Sequence, residues 1–144
     1  MTLQAECQTL QQIPMFRDLD AAKLKLLAFA AERMAVEKGE FVYRAGDPAD
    51  SVYVLLSGQI DVIHDRVRLA RLSCGAVFGE IGVLCSRARA NTLEAASDIS
   101  LLRIEKNVFL ELLHEIPQMA VALSRELGRR LDDMNERFVA RAAT

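Results

Sequence analysis

Residues 78–92 read FGEIGVLCSRARANT. Runs of alternating apolar and polar residues, the mark of half-buried strands, lead up to this stretch and resume after it. The stretch itself has the small and polar composition of a loop. Gly79, at a strand end, lets the backbone come close to a ligand. EIGVL has the length of one helical turn, whose free N–H groups form an anion site at its N-terminal end. Arg89 returns nine positions after Glu80, among the small neighbours Ala88, Ala90 and Asn91. Small residues leave space, and backbone N–H groups beside an arginine make a nest for phosphate. A guanidinium can hold two phosphate oxygens at once, each hydrogen bond to the charged group contributing about 1.5–3 kcal/mol. A carboxylate repels phosphate but accepts strongly from a sugar hydroxyl. One arginine and one glutamate so placed describe a nucleotide with a single phosphate. They equally describe an exposed Glu80–Arg89 ion pair on a β-loop, which is worth little. On chemistry alone that simpler pair ranks first.

Working outward, residues 40–73 are rich in Val, Ile, Tyr and Leu, cut by the turn signals AGDPAD, SG and HDR. The alternation at Val52 and Val54 and at Ile60 and Val62 predicts strands with one face buried. Two more strands are predicted at 92–96 and 99–104. Short antiparallel strands at this density predict a β-roll of the jelly-roll type over about residues 35–105. Ahead of it, RDLDAAKLKLLAFAAERM predicts a helix capped by Asp18 or Asp20. Leu24, Leu27, Ala28, Ala31 and Met34 fall near helical spacing there, and Ile13–Pro14 breaks any earlier helix. Behind the roll, NVFLELLHEI predicts a short helix capped by Asn107, and Pro117 suits the first turn of a long one. These C-terminal helices cover about 107–140. Leu127, Leu131, Met134 and Phe138 form a coiled-coil-type seam on the last, reinforced by an i,i+4 pair from Glu126 to Arg130. The expected fold is α+β, an antiparallel β-roll flanked by an N-terminal helix and two C-terminal helices, in a single domain over 1–144.

Composition narrows the function. At 144 residues the chain buries roughly 70% of its unfolded surface and holds a core without staples. A net charge of −2 argues against a dedicated nucleic-acid binder, and the arginines at 125, 129, 130, 137 and 141 have acidic neighbours. No apolar run approaches the roughly 18 residues of a membrane span. No secretory signal precedes the first helix, so a cytoplasmic location is the default expectation. Cys7, Cys74 and Cys85 are odd in number and widely spaced, and His64 and His114 stand in no ligand spacing with them. Neither a disulfide framework nor a metal site is expected. No catalytic residues are expected either: there is no Ser-His-Asp set and no His/Asp cluster to hold the metals that phosphodiester hydrolysis generally uses.

The chain resembles the cyclic nucleotide-binding domain family over nearly its whole length. FGEIGVLCSRARANT looks like the family's phosphate-binding cassette, F-G-E-(aliphatic)-(small)-L followed by R-(A/S/T)-A-(T/S). KGEFVYRAGDPADSVYVLLSGQIDV looks like the glycine-punctuated strands before that cassette. IPMFRDLD and FLELLHEIPQMAVALSRELGRRL resemble the family's first and last helices. The resemblance implies a ligand loop of Phe78, Gly79, Glu80, Ile81, Arg89, Ala90 and Asn91. In it Glu80 would take the ribose 2′-hydroxyl, with help from the Gly79 backbone. Arg89 would hold the exocyclic phosphate oxygens, with Ala90 and Asn91 adding main-chain N–H groups. Ala90 lacks the hydroxyl that reaches a guanine amino group in cGMP-preferring members, so the ligand implied is cAMP ahead of cGMP. Arg130 or Leu131 would cap the base as a lid. The helix over 118–139 would meet a second copy or an effector protein, with no nucleic acid or membrane bound by this chain itself. Two departures stand out: Ala88 replaces a frequent proline, and Asn91 replaces the alanine after the arginine-alanine pair. Relatives that keep the fold but have lost nucleotide binding typically lack the glutamate or arginine retained here. Two other readings are a sensor domain cut from a transcription regulator's DNA-binding half, since the chain leaves no room for one, and an interaction module blind to nucleotides.

Overall fold

The computed structural model describes residues 3–143. A helix α1 (Leu3–Gln11) precedes Ile13–Pro14, and the break expected there is a 3-10 turn, Pro14–Phe16, with the proline at its start. Helix α2 (Ala21–Ala30) opens on Asp20, whose carboxylate accepts from the Lys23 N–H at 2.9 Å. It stops short of Met34. That residue lies in strand β1 (Glu32–Val36), opposite Leu101. A neighbouring strand offers this segment a full ladder of backbone partners, which outweighs its helical spacing.

The strands that follow are β2 (Phe41–Tyr43), β3 (Ser51–Ser57), β4 (Ile60–His64), β5 (Val67–Leu72), β6 (Val77–Phe78), β7 (Thr92–Ala95) and β8 (Ile99–Glu105). They form two antiparallel four-stranded sheets, ordered β1-β8-β3-β6 and β2-β7-β4-β5. Strand β3 is buried from Ser51 to Leu56, on both faces rather than the expected one. Val52, Val54 and Leu56 turn toward the helices and pack with Phe16, Leu27, Phe109 and Met119. Tyr53 and Leu55 turn the other way, toward Ile60, Phe78, Leu93 and Leu101 between the sheets. The first sheet is thus a middle layer, with helices on one side and the second sheet on the other.

The short helix α3 (Glu80–Leu84) leaves β6 directly. Helix α4 (Lys106–Glu115) is capped by the side chain of Glu105, which accepts from the N–H groups of Asn107 and Val108. Asn107, the expected cap, is the second residue of the helix itself. The last strand residue has a carboxylate long enough to fold back over the free N–H groups. Helix α5 (Pro117–Ala143) begins at its proline and buries Met119 and Leu123. Leu127 is partly buried on the same core, while Leu131, Met134 and Phe138 are exposed.

One turn has no room for a side chain. A Cβ on Gly58, where φ is +89°, would stand 2.5 Å from the Asp98 carbonyl oxygen and 2.6 Å from Ile99 Cγ2. Gly58→Ala is expected to destabilise the fold by about 2–4 kcal/mol, combining left-handed strain with displaced backbone. Thermal denaturation checks this; an unchanged midpoint would show that the turn relaxes freely.

Candidate functional site

The chain enters the 78–92 loop through Gly79, whose φ of +84° turns β6 sharply into α3. After α3 it returns along the turn between β2 and β3. Gly46 N–H donates to the Arg89 carbonyl at 2.8 Å, Arg89 N–H to the Asp47 carbonyl at 2.9 Å, and Ala45 N–H to Thr92 Oγ1 at 3.0 Å. Both ends of the loop are therefore held by sheet, and the segment carrying Arg89 is stitched at its own backbone.

Arg89 is 5% exposed. Its Nη1 donates to the Gly79 carbonyl at 2.7 Å and its Nη2 to the Ser51 carbonyl at 2.5 Å. Its Nε is buried with no protein partner. Among the described residues no carboxylate pairs with it. A cation taken out of water and held by neutral groups, with no counter-charge, is incompletely compensated. A Cβ on Gly79 would come within 2.8 Å of Nη1, so glycine there is also what lets the guanidinium in.

Glu80 is 2% exposed and does not pair with Arg89. Its Oε1 accepts from Arg130 Nη1 at 2.5 Å, and Arg130 Nη2 reaches the Val77 carbonyl at 3.3 Å. Arg130 also faces Glu126 on its own helix at 3.5 Å. The exposed ion pair that ranked first on chemistry alone is absent. The two charges point to separate partners.

Between the loop, the second sheet and α5 lies a cavity of about 820 Å³. Phe78, Gly79, Glu80, Ile81, Arg89, Ala90, Asn91 and Arg130 all line it. Phe78 is mostly core, stacked on Tyr53 with ring centroids 5.4 Å apart, while Ile81 stands exposed at the rim. The Ala90 carbonyl faces His64 Nδ1 at 3.4 Å. Leu131 is 61% exposed and is not among the cavity's lining residues. Arg130 and Leu131 are neighbours in sequence, but successive residues on a helix point some 100° apart.

Tyr43 also lines the cavity, and no sequence signal pointed to it: an aromatic residue in a short strand has no spacing signature. Burial pushes its phenol from the ordinary 10 up to about 12, against the opposing pull of Arg89. The sign follows directly. A group whose folded pKa is raised contributes stability that is present below pH 10 and lost as pH rises through about 12. Two units correspond to about 2–3 kcal/mol. Tyr43→Phe is expected to flatten the alkaline fall in thermal midpoint between those limits; an identical fall would assign it to other groups.

Among the described residues no group of three or more His, Cys, Asp or Glu side chains could hold a metal ion. No helix among them is long and apolar enough to cross a membrane. What the site offers is a deep cationic point, a carboxylate beside it and an apolar wall.

Residues 33–115, more than half of the chain, match the family model described as cyclic nucleotide-binding domain. The chain belongs to the cyclic nucleotide-binding domain family. This cyclic nucleotide-binding domain is 31% identical over 123 residues to an uncharacterized NTE family protein of Mycobacterium tuberculosis, covering 85% of this chain and 21% of that one. It thus spans about a fifth of the length of the curated relatives matched first. It superimposes on the catabolite activator protein of Thermus thermophilus with a TM-score of 0.79 at 26% identity, covering 87% of this chain and 61% of that one. The regulatory domain of Toxoplasma gondii PKA, solved with cAMP, matches with a TM-score of 0.77 at 17% identity, covering 88% and 50%, and shares the fold. The β-roll with its flanking helices is the architecture that both structures share with this chain.

Proposed function

We propose that this domain binds cAMP at the 78–92 loop and passes the occupancy of that site to α5. The observation that carries the proposal is Arg89, a buried cation that has, among the described residues, no carboxylate partner and no acceptor for its Nε. An anion in the cavity would complete its coordination, and a cyclic phosphate presents two exocyclic oxygens to it. Glu80 opens α3 at the start of the loop, suited to the one ribose hydroxyl that a 3′,5′-cyclic ester leaves free. Gly79, Ala90 and Asn91 supply backbone around the phosphate, and Phe78 and Ile81 the apolar surround. Ala90 has no hydroxyl to offer a guanine amino group, which favours cAMP over cGMP. The cAMP in the related Toxoplasma structure supports the same ligand class.

Arg130 gives the site an output. Its contact with Glu80 ties the middle of α5 to the residue assigned to the ribose. A ligand that competes for Glu80, or adds a base beneath Arg130, changes the balance between helix positions by its differential affinity for them. Leu131 can serve as a lid only if α5 rotates. The exposed stripe of Leu131, Met134 and Phe138 is where we place a second copy or an effector. The chain itself does no chemistry in this reading. The much longer NTE family relative supports an output elsewhere in a larger protein.

Calorimetric titration with cAMP and cGMP tests the proposal. Saturable heat with cAMP, and a weaker response to cGMP, is expected. Absence of heat and of any thermal shift at about millimolar nucleotide, where even weak specific binding registers, would leave a nucleotide-blind interaction module as the better account.

A further inference from the structure

The aromatic residues beneath the loop form a short column. Tyr53 stacks on Phe78 with planes 15° apart, and Tyr43 tilts against Tyr53 at 6.0 Å between centroids. Arg89 lies over the open end of the column. Its Cζ is 4.2 Å from the Tyr43 ring centroid and 5.9 Å from that of Tyr53.

The two sheets approach the guanidinium differently. The first sheet and its β6 extension supply the Ser51 and Gly79 carbonyls, which meet its edge. The second sheet supplies the Tyr43 ring, over which its Cζ sits. Hydrogen bonds to carbonyls tolerate a broad range of approach directions, so two of them leave the plane of the guanidinium loosely set. A ring face against a desolvated cation sets it, because the attraction falls away as the cation tilts off the ring.

We propose that Tyr43 is a positioning residue for Arg89, fixing the plane in which the remaining guanidinium N–H groups meet an anionic ligand. This rests on the reading of the cavity as a cyclic nucleotide site. An aliphatic side chain would fill the same space without the ring's negative face. The neutral phenol also brings no charge to compete with a phosphate.

Two measurements test the role. In calorimetry with cAMP, Tyr43→Leu is expected to weaken binding about tenfold, whereas Tyr43→Phe, which keeps the ring, stays within about twofold of wild type. In the ligand-free protein, hydrogen exchange of the Arg89 Nε–H, followed by NMR, should quicken about tenfold in Tyr43→Leu and stay slow in Tyr43→Phe. Should Tyr43→Leu fail to fold, Tyr43→Met, an adaptable filler, is read the same way. Equal cAMP affinity in wild type and the aliphatic variant overturns the positioning role. If wild type binds no cAMP, the proposed function fails instead. The exchange measurement, which needs no ligand, then decides on its own whether Tyr43 holds Arg89.

Discussion

Arg89→Ala is expected to lower cAMP affinity by two to four orders of magnitude while leaving the domain folded. The binding loss follows from at least two charge-assisted hydrogen bonds to the phosphate, together about 3–6 kcal/mol. The small effect on folding has a separate origin. In the ligand-free protein the guanidinium is buried against neutral groups, two carbonyls and the Tyr43 ring, so the hydrogen bonds to Gly79 and Ser51 are largely offset by the desolvation of a cation that meets no counter-charge among the described residues. Removing both together nearly cancels. Titration calorimetry and thermal denaturation, run on the same preparation, separate the two. Affinity within tenfold of wild type would remove Arg89 from the phosphate. A collapse of the fold would make it a structural residue first.

Glu80→Ala has the second largest expected effect, in two places at once. One is selectivity. Wild type should prefer cAMP to 2′-deoxy-cAMP by about ten- to a hundredfold, the worth of one hydrogen bond to a charged acceptor, and the variant should bind the two alike. The other is α5. Without the carboxylate, Arg130 keeps only the Val77 carbonyl and its own-helix neighbour Glu126. Amide exchange in α5 beyond Glu126 should quicken. If the wild type binds the deoxy ligand as well as cAMP, the ribose contact is wrong. If α5 exchange is unmoved, Arg130 does not anchor the helix.

The two-sheet roll and the last helix were legible because their signals are local. Strand alternation, glycine turns and Pro117 act within a few residues of themselves. The Asp20 cap belongs to the same kind, a short polar side chain just ahead of an apolar run. What escaped depended on distant partners. Met34 leaves its helical spacing for a strand because β8, some seventy residues on, is there to pair with it. Glu105 displaces Asn107 as the cap of α4 because the end of β8 aims its carboxylate back. In the site, the cassette pattern placed Glu80, Arg89 and Ala90 around one cavity. That Glu80 meets Arg130 and not Arg89 could not be read from spacing, because fifty residues separate the pair. Tyr43 carried no motif at all, and only the closing of one sheet over the other brings its ring to the guanidinium.

The anchoring of α5 is unequal along its length, and under the proposed function that would make it a mechanical amplifier. Met119 and Leu123 are buried, Leu127 touches the core, Arg130 reaches Glu80 on the roll, and residues 131–142 are exposed. The described helix continues to Ala143. At 1.5 Å per residue the overhang is about 20 Å long. A tilt of about 10° at Arg130, too small to disturb the packed half, would move its far end by about 3–4 Å, comparable to the small interface shifts that switch assemblies. If a sugar hydroxyl meets Glu80 as proposed, a sub-ångström change there would thus reach any partner seated on that overhang several times larger.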